Sequence, residues 1–460
     1  MDGEDKLMDE ILKRFIEATP VAVMVQATLR RVFADSALDA LFERSAESQY
    51  TRELTFSTVI GLMVEVVTRK HPSLNAAYRH APQRLPVTVA SLYNKVNGLE
   101  TGISSALVHE TATAMQAIVE KLPRRRESKI AGLRLRTLDG NFLAGTEHRL
   151  DCLRGYGAAA LPGMSLVVRD GGTGLLTDLI PCEDAYTNER SLFSDVLALV
   201  CSDDLWLADR NFCTMDYLGG IAERKAFFLV RHHLGTQLHA QGKMTACGSN
   251  ASGRIYEQRV RIGWLECRCI IVRLHEPLRD GSTELRILTN VPAKRLSAKR
   301  ALKLYHTRWR IETAFQELTE NLRCEIDTLG YPQAALFAFS LAVAAYNILV
   351  VTRAALASAH ASTASETEEV EETLSSYYLA HEVAGATEGM LIAVPQKTWQ
   401  SLVRMTLPEF AGWLTTVAAR AQFWRYRKSK RGPQKPSTVR RTWRGAHRST
   451  ARLLAKKAHK

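Results

Sequence analysis

The stretch LRLRTLDG, residues 133–140, marks the point at which the chain changes period. Leu133 and Leu135 alternate with Arg134 and Arg136, the two-residue repeat of a strand with one face buried. Two more strand-like runs follow, MSLVVRDGG (164–172) and GLLTDLIP (174–181). The Asp-Gly and Gly-Gly turn signals between them suit antiparallel hairpins. Next come a helical piece, ERSLFSDVLALVC (189–201), the apolar run DLWLADRNF (204–212), another helix and FFLVRHH (227–233). Strands followed by alternating helix and strand predict an α/β domain. RDGGTG (169–174) lacks the following Lys and Ser or Thr of a phosphate-binding loop and reads as a hairpin turn. His232 and His233 are adjacent, so on a strand they would point to opposite faces, which argues against joint metal binding. Asp203 and Asp204 read as solvated turn residues.

Outward from this centre, residues 1 to about 128 carry apolar residues at spacings of three and four, as in VAVMVQATLRRVFADSALDALFER and TGISSALVHETATAMQAIVEKL, and predict helices. LPVTVASLYNKVNGLE (85–100) between them resembles the second half of a helix-turn-helix and equally a plain helical hairpin. Residues 231 to about 292 alternate again and form a β-rich insertion. Helix resumes from about Ser297 through Leu322, in which KLYHTRWRIETAFQELTENL (303–322) should be one long helix. AALFAFSLAVAAYNILVV (334–351) has the length at which a membrane span is considered. Ser340, Tyr346 and Asn347 within it favour a helix buried in a large core. TASETEEVEETLSS (363–376) is an acidic solvated loop or helix face. The expected division is therefore a helical, DNA-binding domain at 1–128, an α/β domain at 129–356 with its insertion at 231–292, an acidic linker with helices at 357–400, and a basic helical C-terminal region at 401–460.

With 460 residues, 46% of them hydrophobic and 24% charged, the chain can bury sizeable cores in two or three domains, and global disorder is excluded. The eight cysteines are scattered without a Cys-x-x-Cys pair, which argues against structural zinc. The opening MDGEDKLMDEILKRF has no secretory pattern, so a cytoplasmic, nucleoid-associated protein with reduced thiols and no membrane partner is expected. Net charge is +13, yet from Arg420 onward there are 15 Lys and Arg and no Asp or Glu, which leaves −2 for everything before. Such an arm attracts polyanions by releasing condensed counterions, and the aromatics in FWRYRKSKR and RRTWRG could lie against sugars or bases. Nucleic acid is the first partner these features suggest; a solvated basic tail is the plainer reading.

Three carboxylates stand out. Asp139 closes LRLRTLDG, where Asp-Gly is also an ordinary turn. Asp209 ends LWLAD at the carboxyl end of a buried strand, where open α/β sheets place ligands, and an Asp capping the next turn is the alternative. Glu312 shares one helical face with Tyr305 and Arg308, since residues advance roughly 100° each, while Trp309, Ile311 and Phe315 occupy other sides. Hard divalent cations take oxygen ligands, and a pair of them can activate the attacking oxygen and stabilise the leaving one in phosphoryl transfer. An arginine beside such acids suits a phosphate through charge-assisted hydrogen bonds.

TLDGN, LADRNF and YHTRWRIE, in this order and with a β-rich insertion between the second and third, resemble the DDE transposases of bacterial insertion sequences. Tyr305, Arg308 and Glu312 have the spacing of the Tyr-Arg-Glu-Lys signature of that family, whose Lys falls on Thr319 here, and the resemblance spans about residues 131–350. It implies an RNase H-like mixed sheet flanked by helices, with Asp139, Asp209 and Glu312 as catalytic metal ligands for Mg2+ or Mn2+, two ions in all. It implies that Tyr305, Arg308, Arg310 and Arg323 contact DNA. It further implies cut-and-paste transposition: cleavage at terminal inverted repeats, strand transfer to target DNA, and a homodimer bridging two ends. An impaired derivative that only binds element ends, or a structure-specific nuclease with the same core, are the alternatives.

Overall fold

The computed structural model describes residues 2–49, 51, 53–81, 85–123, 129–130, 132–143, 150, 152, 161–278, 281–363, 366–429 and 449–458. RRTWRG and most of the basic arm lie outside the described residues. Seven helices open the chain: α1 (Asp2–Ala18), α2 (Pro20–Val32), α3 (Asp35–Ser45), α4 (Phe56–Val67), α5 (Leu74–Arg79), α6 (Val89–Asn97) and α7 (Thr101–Glu120). Thr55, Ser73 and Thr88 start α4, α5 and α6 by accepting a backbone N–H with their hydroxyls, as good N-caps do.

The strands are β1 (Lys129–Ile130), β2 (Leu133–Phe142), β3 (Met164–Asp170), β4 (Leu176–Cys182), β5 (Asp204–Ala208), β6 (Phe227–Arg231), β7 (His239–Ala240), β8 (Thr245–Asn250), β9 (Gly253–Ile262), β10 (Leu265–Leu274) and β11 (Glu284–Thr289). They form one mixed sheet of order β4-β3-β2-β5-β6-β11-β10-β9-β7, with β1 on β2 and β8 on β9. β2, β3 and β4 run antiparallel, whereas β5 and β6 run parallel to β2. Two short helices, α8 (Phe193–Ala198) and α9 (Met215–Glu223), cross over between the parallel strands. The β-rich insertion extends this same sheet, because β11 returns antiparallel to β6.

Alternation along the strands gives each face its own cover. Leu138, Leu166, Val168, Trp206, Phe228 and Val230 meet α8 and α9 on one side. Leu133, Leu135, Leu205, Leu207 and Leu229, with Ile255, Ile270, Val272 and Ile287 from the insertion, meet α10 (Ala298–His306) on the other. Asp204 departs from the expected solvated turn. It begins β5 almost fully buried, its Oδ2 accepts the Cys201 N–H at 2.9 Å, and its Oδ1 faces Arg134 at 3.0 Å. A buried carboxylate needs such partners. Asp203 beside it is exposed, sits at φ 62° and pairs with Arg295 at 3.3 Å.

The stretch 297–322 is two helices, α10 and α11 (Trp309–Asn321), where one was expected. The Thr307 hydroxyl turns back onto the Leu304 carbonyl at 2.7 Å, competing with the helix ladder. Arg308, Arg310 and Ile311 then donate to carbonyls three residues back, a tighter turn that redirects the chain.

The apolar stretch forms α12 (Pro332–His360), long and apolar enough to span a membrane, yet its most apolar eighteen-residue window is entirely buried within the protein. The chain continues through α13 (Thr367–Glu372), α14 (Ser376–Ala393), α15 (Gln396–Val403), α16 (Leu407–Ala418) and α17 (Thr450–Ala458). Residues from α2 to α7 share one core with α12, α14, α15 and α16, so helices from both ends of the chain wrap the same central rod. Buried polar groups along it find partners at several positions. Ser340 donates to the Phe337 carbonyl at 2.7 Å, and the Tyr346 hydroxyl accepts from Arg353 at 3.0 Å. Asn347 accepts the Leu176 N–H at 2.9 Å and donates to the Leu176 carbonyl at 2.7 Å, closing the outer edge of β4.

Candidate active site

The last parallel pair between β2 and β5 is Thr137 with Leu207. Asp139 and Asp209 each lie two residues further, so the two-residue period puts both carboxylates on the α10 side of the sheet, at the carboxyl ends of neighbouring strands. β5 ends at Ala208, and Asp209 Oδ1 accepts the Asn211 N–H at 2.7 Å, so this Asp caps the turn that follows its strand. β2 does not end at Asp139: it continues through Gly140 to Phe142, and the Asp-Gly pair is strand where a turn was one reading.

Tyr305 on α10, Arg308 at the start of α11 and Glu312 on α11 supply the rest. Arg308, nine-tenths buried, donates from Nη1 to Asp139 Oδ2 at 3.0 Å and from Nη2 to Glu312 Oε1 at 2.6 Å. The Tyr305 hydroxyl donates to the Ala208 carbonyl at 3.4 Å, at the very end of β5. Burial, opposed by Arg308 and reinforced by the charges of Asp209 and Glu312, pushes the Asp139 carboxyl up to about 6. Burial likewise pushes the Tyr305 phenol up to about 12. For Arg308, burial works against the charge, but Asp139, Tyr305 and Glu312 hold the guanidinium above its ordinary value. These mutual effects put Asp139, Asp209, Glu312, Tyr305 and Arg308 in one electrostatic neighbourhood.

Arg310 and Arg323 go elsewhere. Arg310 pairs with Glu368, at 2.6 Å, and with Glu372 of α13. Arg323 donates to the Pro72 carbonyl and, through its backbone, to Val67 at 2.8 Å, tying α11 to the N-terminal helices. At Thr319 the hydroxyl caps Phe315 at 3.1 Å, and the carbonyl accepts from Arg69 at 2.9 Å, so an arginine from the N-terminal helices reaches that turn.

One residue escaped the sequence reasoning. Glu189 approaches from the α8 side, and a β-carbon on Gly140 would run into its Oε1. Asn211 Nδ2 donates to Glu189 Oε2 at 3.3 Å. Burial raises the Glu189 carboxyl, the Asn211 hydrogen bond lowers it, and Asp209 raises it again. A glycine inside a strand signals a close approach, and that was the clue available.

Among the described residues, no three His, Cys, Asp or Glu side chains stand close enough together to hold one ion in this conformation. The reason lies in the same hydrogen bonds: the Arg308 guanidinium is lodged between Asp139 and Glu312 and already serves as their cation. The donor set is nevertheless all carboxylate oxygen, the kind that hard divalent ions take, and its acidic groups outnumber the single arginine among them. By donor chemistry, though not by their spacing in this conformation, these residues suit such an ion.

No curated protein matches the chain. A cryo-EM structure of piggyBac transposase in a synaptic complex with hairpin DNA aligns over 90% of this chain and 88% of that one, with TM-score 0.41 and 11% identity. Residues 131–348, the segment that carries Asp139, Asp209, Arg308 and Glu312, match the family described as transposase DDE domain.

Proposed function

We propose that the protein is a DNA transposase that cleaves at terminal inverted repeats and transfers the freed ends to target DNA by a cut-and-paste route. The observation that carries this reading is that Arg308 joins Asp139 to Glu312, with Asp209 near enough for its charge to act on Asp139, inside the segment that matches transposase DDE domains. The order β4-β3-β2-β5-β6, antiparallel then parallel, supports an RNase H-like core.

In this reading Asp139, Asp209 and Glu312 hold Mg2+ or Mn2+, which would activate the attacking oxygen and stabilise the leaving one. Arg308 exchanges its two carboxylates for a phosphate, which its planar fork can grip through two hydrogen bonds. Tyr305, anchored on the end of β5, orients the backbone beside Asp209. Water attacks the phosphodiester at each element end, and the 3′ hydroxyl so freed attacks the second strand or the target. A dimer brings two ends together, and the basic C-terminal arm adds sequence-independent affinity.

The test is a plasmid carrying the inverted repeats that flank the gene, incubated with purified protein and Mg2+. Paired cuts at the repeat boundaries and strand-transfer products are expected, and Asp139→Asn, Asp209→Asn or Glu312→Gln should each abolish them while end binding persists. Thr319, standing where the signature has Lys, favours a second reading, a derivative that binds ends without cutting. Retardation of repeat DNA with no cleavage in Mg2+ or Mn2+ would establish it.

A further inference from the structure

The exposed face of α10 carries one sign of charge. At roughly 100° per residue, Lys299, Arg300, Lys303 and His306 fall within an arc of about 120°, and all four are exposed. α10 contains no Asp or Glu, and among the described residues no carboxylate pairs with any of the four. This arrangement works against the helix. Lys299 and Arg300 stand in its first turn, at the positive end of the dipole, and Lys299 and Lys303 are like charges one turn apart. Composition does not account for it, because the residues before Arg420 sum to −2. The insertion makes room for it: a β-carbon on Gly248 of β8 would run into the Lys299 ammonium. Cations held together at a cost to their own helix attract a polyanion.

We propose that Lys299, Arg300 and Lys303 form a track for the backbone of one strand of duplex DNA, leading it along α10 toward Arg308. The proposal rests on the reading of the protein as a DNA transposase. From Lys299 to His306 the helix rises about 10 Å, the axial length over which one DNA strand carries about three phosphates. The track has a direction. At its far end the Tyr305 hydroxyl reaches the Ala208 carbonyl at 3.4 Å, and Arg308 then meets Asp139 at 3.0 Å and Glu312 at 2.6 Å. Contacts of this kind go to phosphate and position a duplex without reading its bases.

Full-length protein titrated into two fluorescein-labelled duplexes, one carrying a flanking inverted repeat and one of scrambled sequence, at several salt concentrations, tests it. The variant Lys299→Gln/Arg300→Gln/Lys303→Gln should flatten the slope of log affinity against log salt by about 0.9 for each of the three phosphates released, equally on both duplexes. It should melt no lower than wild type, since the substitutions relieve the repulsion within α10. Lys299→Arg/Lys303→Arg, which keeps the charge, should keep the slope. Lys121→Gln/Lys397→Gln/Arg404→Gln removes the same charge from the region of α7 and α15, and a slope flattened as much by it overturns the track. A clear fall in the melting temperature of the α10 variant overturns it by making the cations props of the fold, and a loss confined to the repeat duplex does so by making them readers of sequence. An unchanged slope with weakened self-association in sedimentation gives the face to the acidic helix α13 of a second copy. Wild-type protein that binds neither duplex sinks the transposase reading and the track together, whereas wild-type cutting with an unchanged slope in the α10 variant removes the track alone.

Discussion

Arg308 Nη1 lies 3.0 Å from Asp139 Oδ2 across 169 residues of sequence, and the same guanidinium holds Glu312 one helical turn away. A single side chain thus ties the central strand to the helix that follows the insertion. Removing it leaves two acids facing each other in a largely buried place. Arg308→Ala should cost about 3 kcal/mol in EDTA, the usual size for breaking a buried ion pair. Mn2+ should restore much of that loss and should stabilise the variant more than wild type, because a ligand stabilises the state it binds. Urea melts with and without Mn2+ decide the matter; equal metal stabilisation of the two proteins would mean that Arg308 does not occupy the cation position.

The raised carboxyl of Asp139 has its own consequence for stability. Its folded value of about 6 lies above the ordinary 3.8, so the folded state keeps the proton longer than the unfolded one. Its contribution is therefore neutral below about pH 4, turns unfavourable as pH rises from 4 to 6, and stays unfavourable above. Two units correspond to about 3 kcal/mol at most. In EDTA, Asp139→Asn should be more stable than wild type at pH 7.5, and the gap should close toward pH 4. A gap that widens on acidification would contradict this.

Asn347 offers a test of how the helices hold the sheet. Asn347→Ala leaves the Leu176 N–H and carbonyl unpaired in a buried place and should cost about 3 kcal/mol. A loss below about 1 kcal/mol would show that the edge of β4 finds other partners.

Deleting residues 430–460 removes 11 Lys and Arg and spares Tyr426, whose hydroxyl donates to Glu382. Affinity for repeat DNA should fall, and the slope of log affinity against log salt should become shallower by about 0.9 for each phosphate that the arm no longer neutralises. An unchanged slope would take the arm out of DNA binding.

The sequence made the acids legible because strand period and strand ends follow directly from the placing of apolar residues. Leu205 and Leu207 point one way, and Asp209 has to follow them. Arg308 and Glu312 survived a wrong expectation about their helix, since the break at Thr307 falls before both and leaves their spacing intact. Glu189 was hidden because Gly140 reads as a turn until a neighbour shows why it has no side chain. Arg310 and Arg323 looked like their neighbours Arg308 and Lys303 in composition. Only packing, against α13 and the Pro72 carbonyl, separates the arginine that meets the acids from those that do not. The buried Asp204 was missed for a similar reason: nothing local announces that Arg134 and the Cys201 N–H will receive it.

The insertion between β6 and β11 looks like an appendage on a map of the chain. Ile255, Ile270 and Val272 nevertheless make part of the floor on which α10 rests, and α10 leads straight into Arg308. Pruning it would uncover greasy surface and unseat the arginine that follows. The excursion is a foundation, and any scheme that trims this protein to a minimal catalytic fragment has to carry it along.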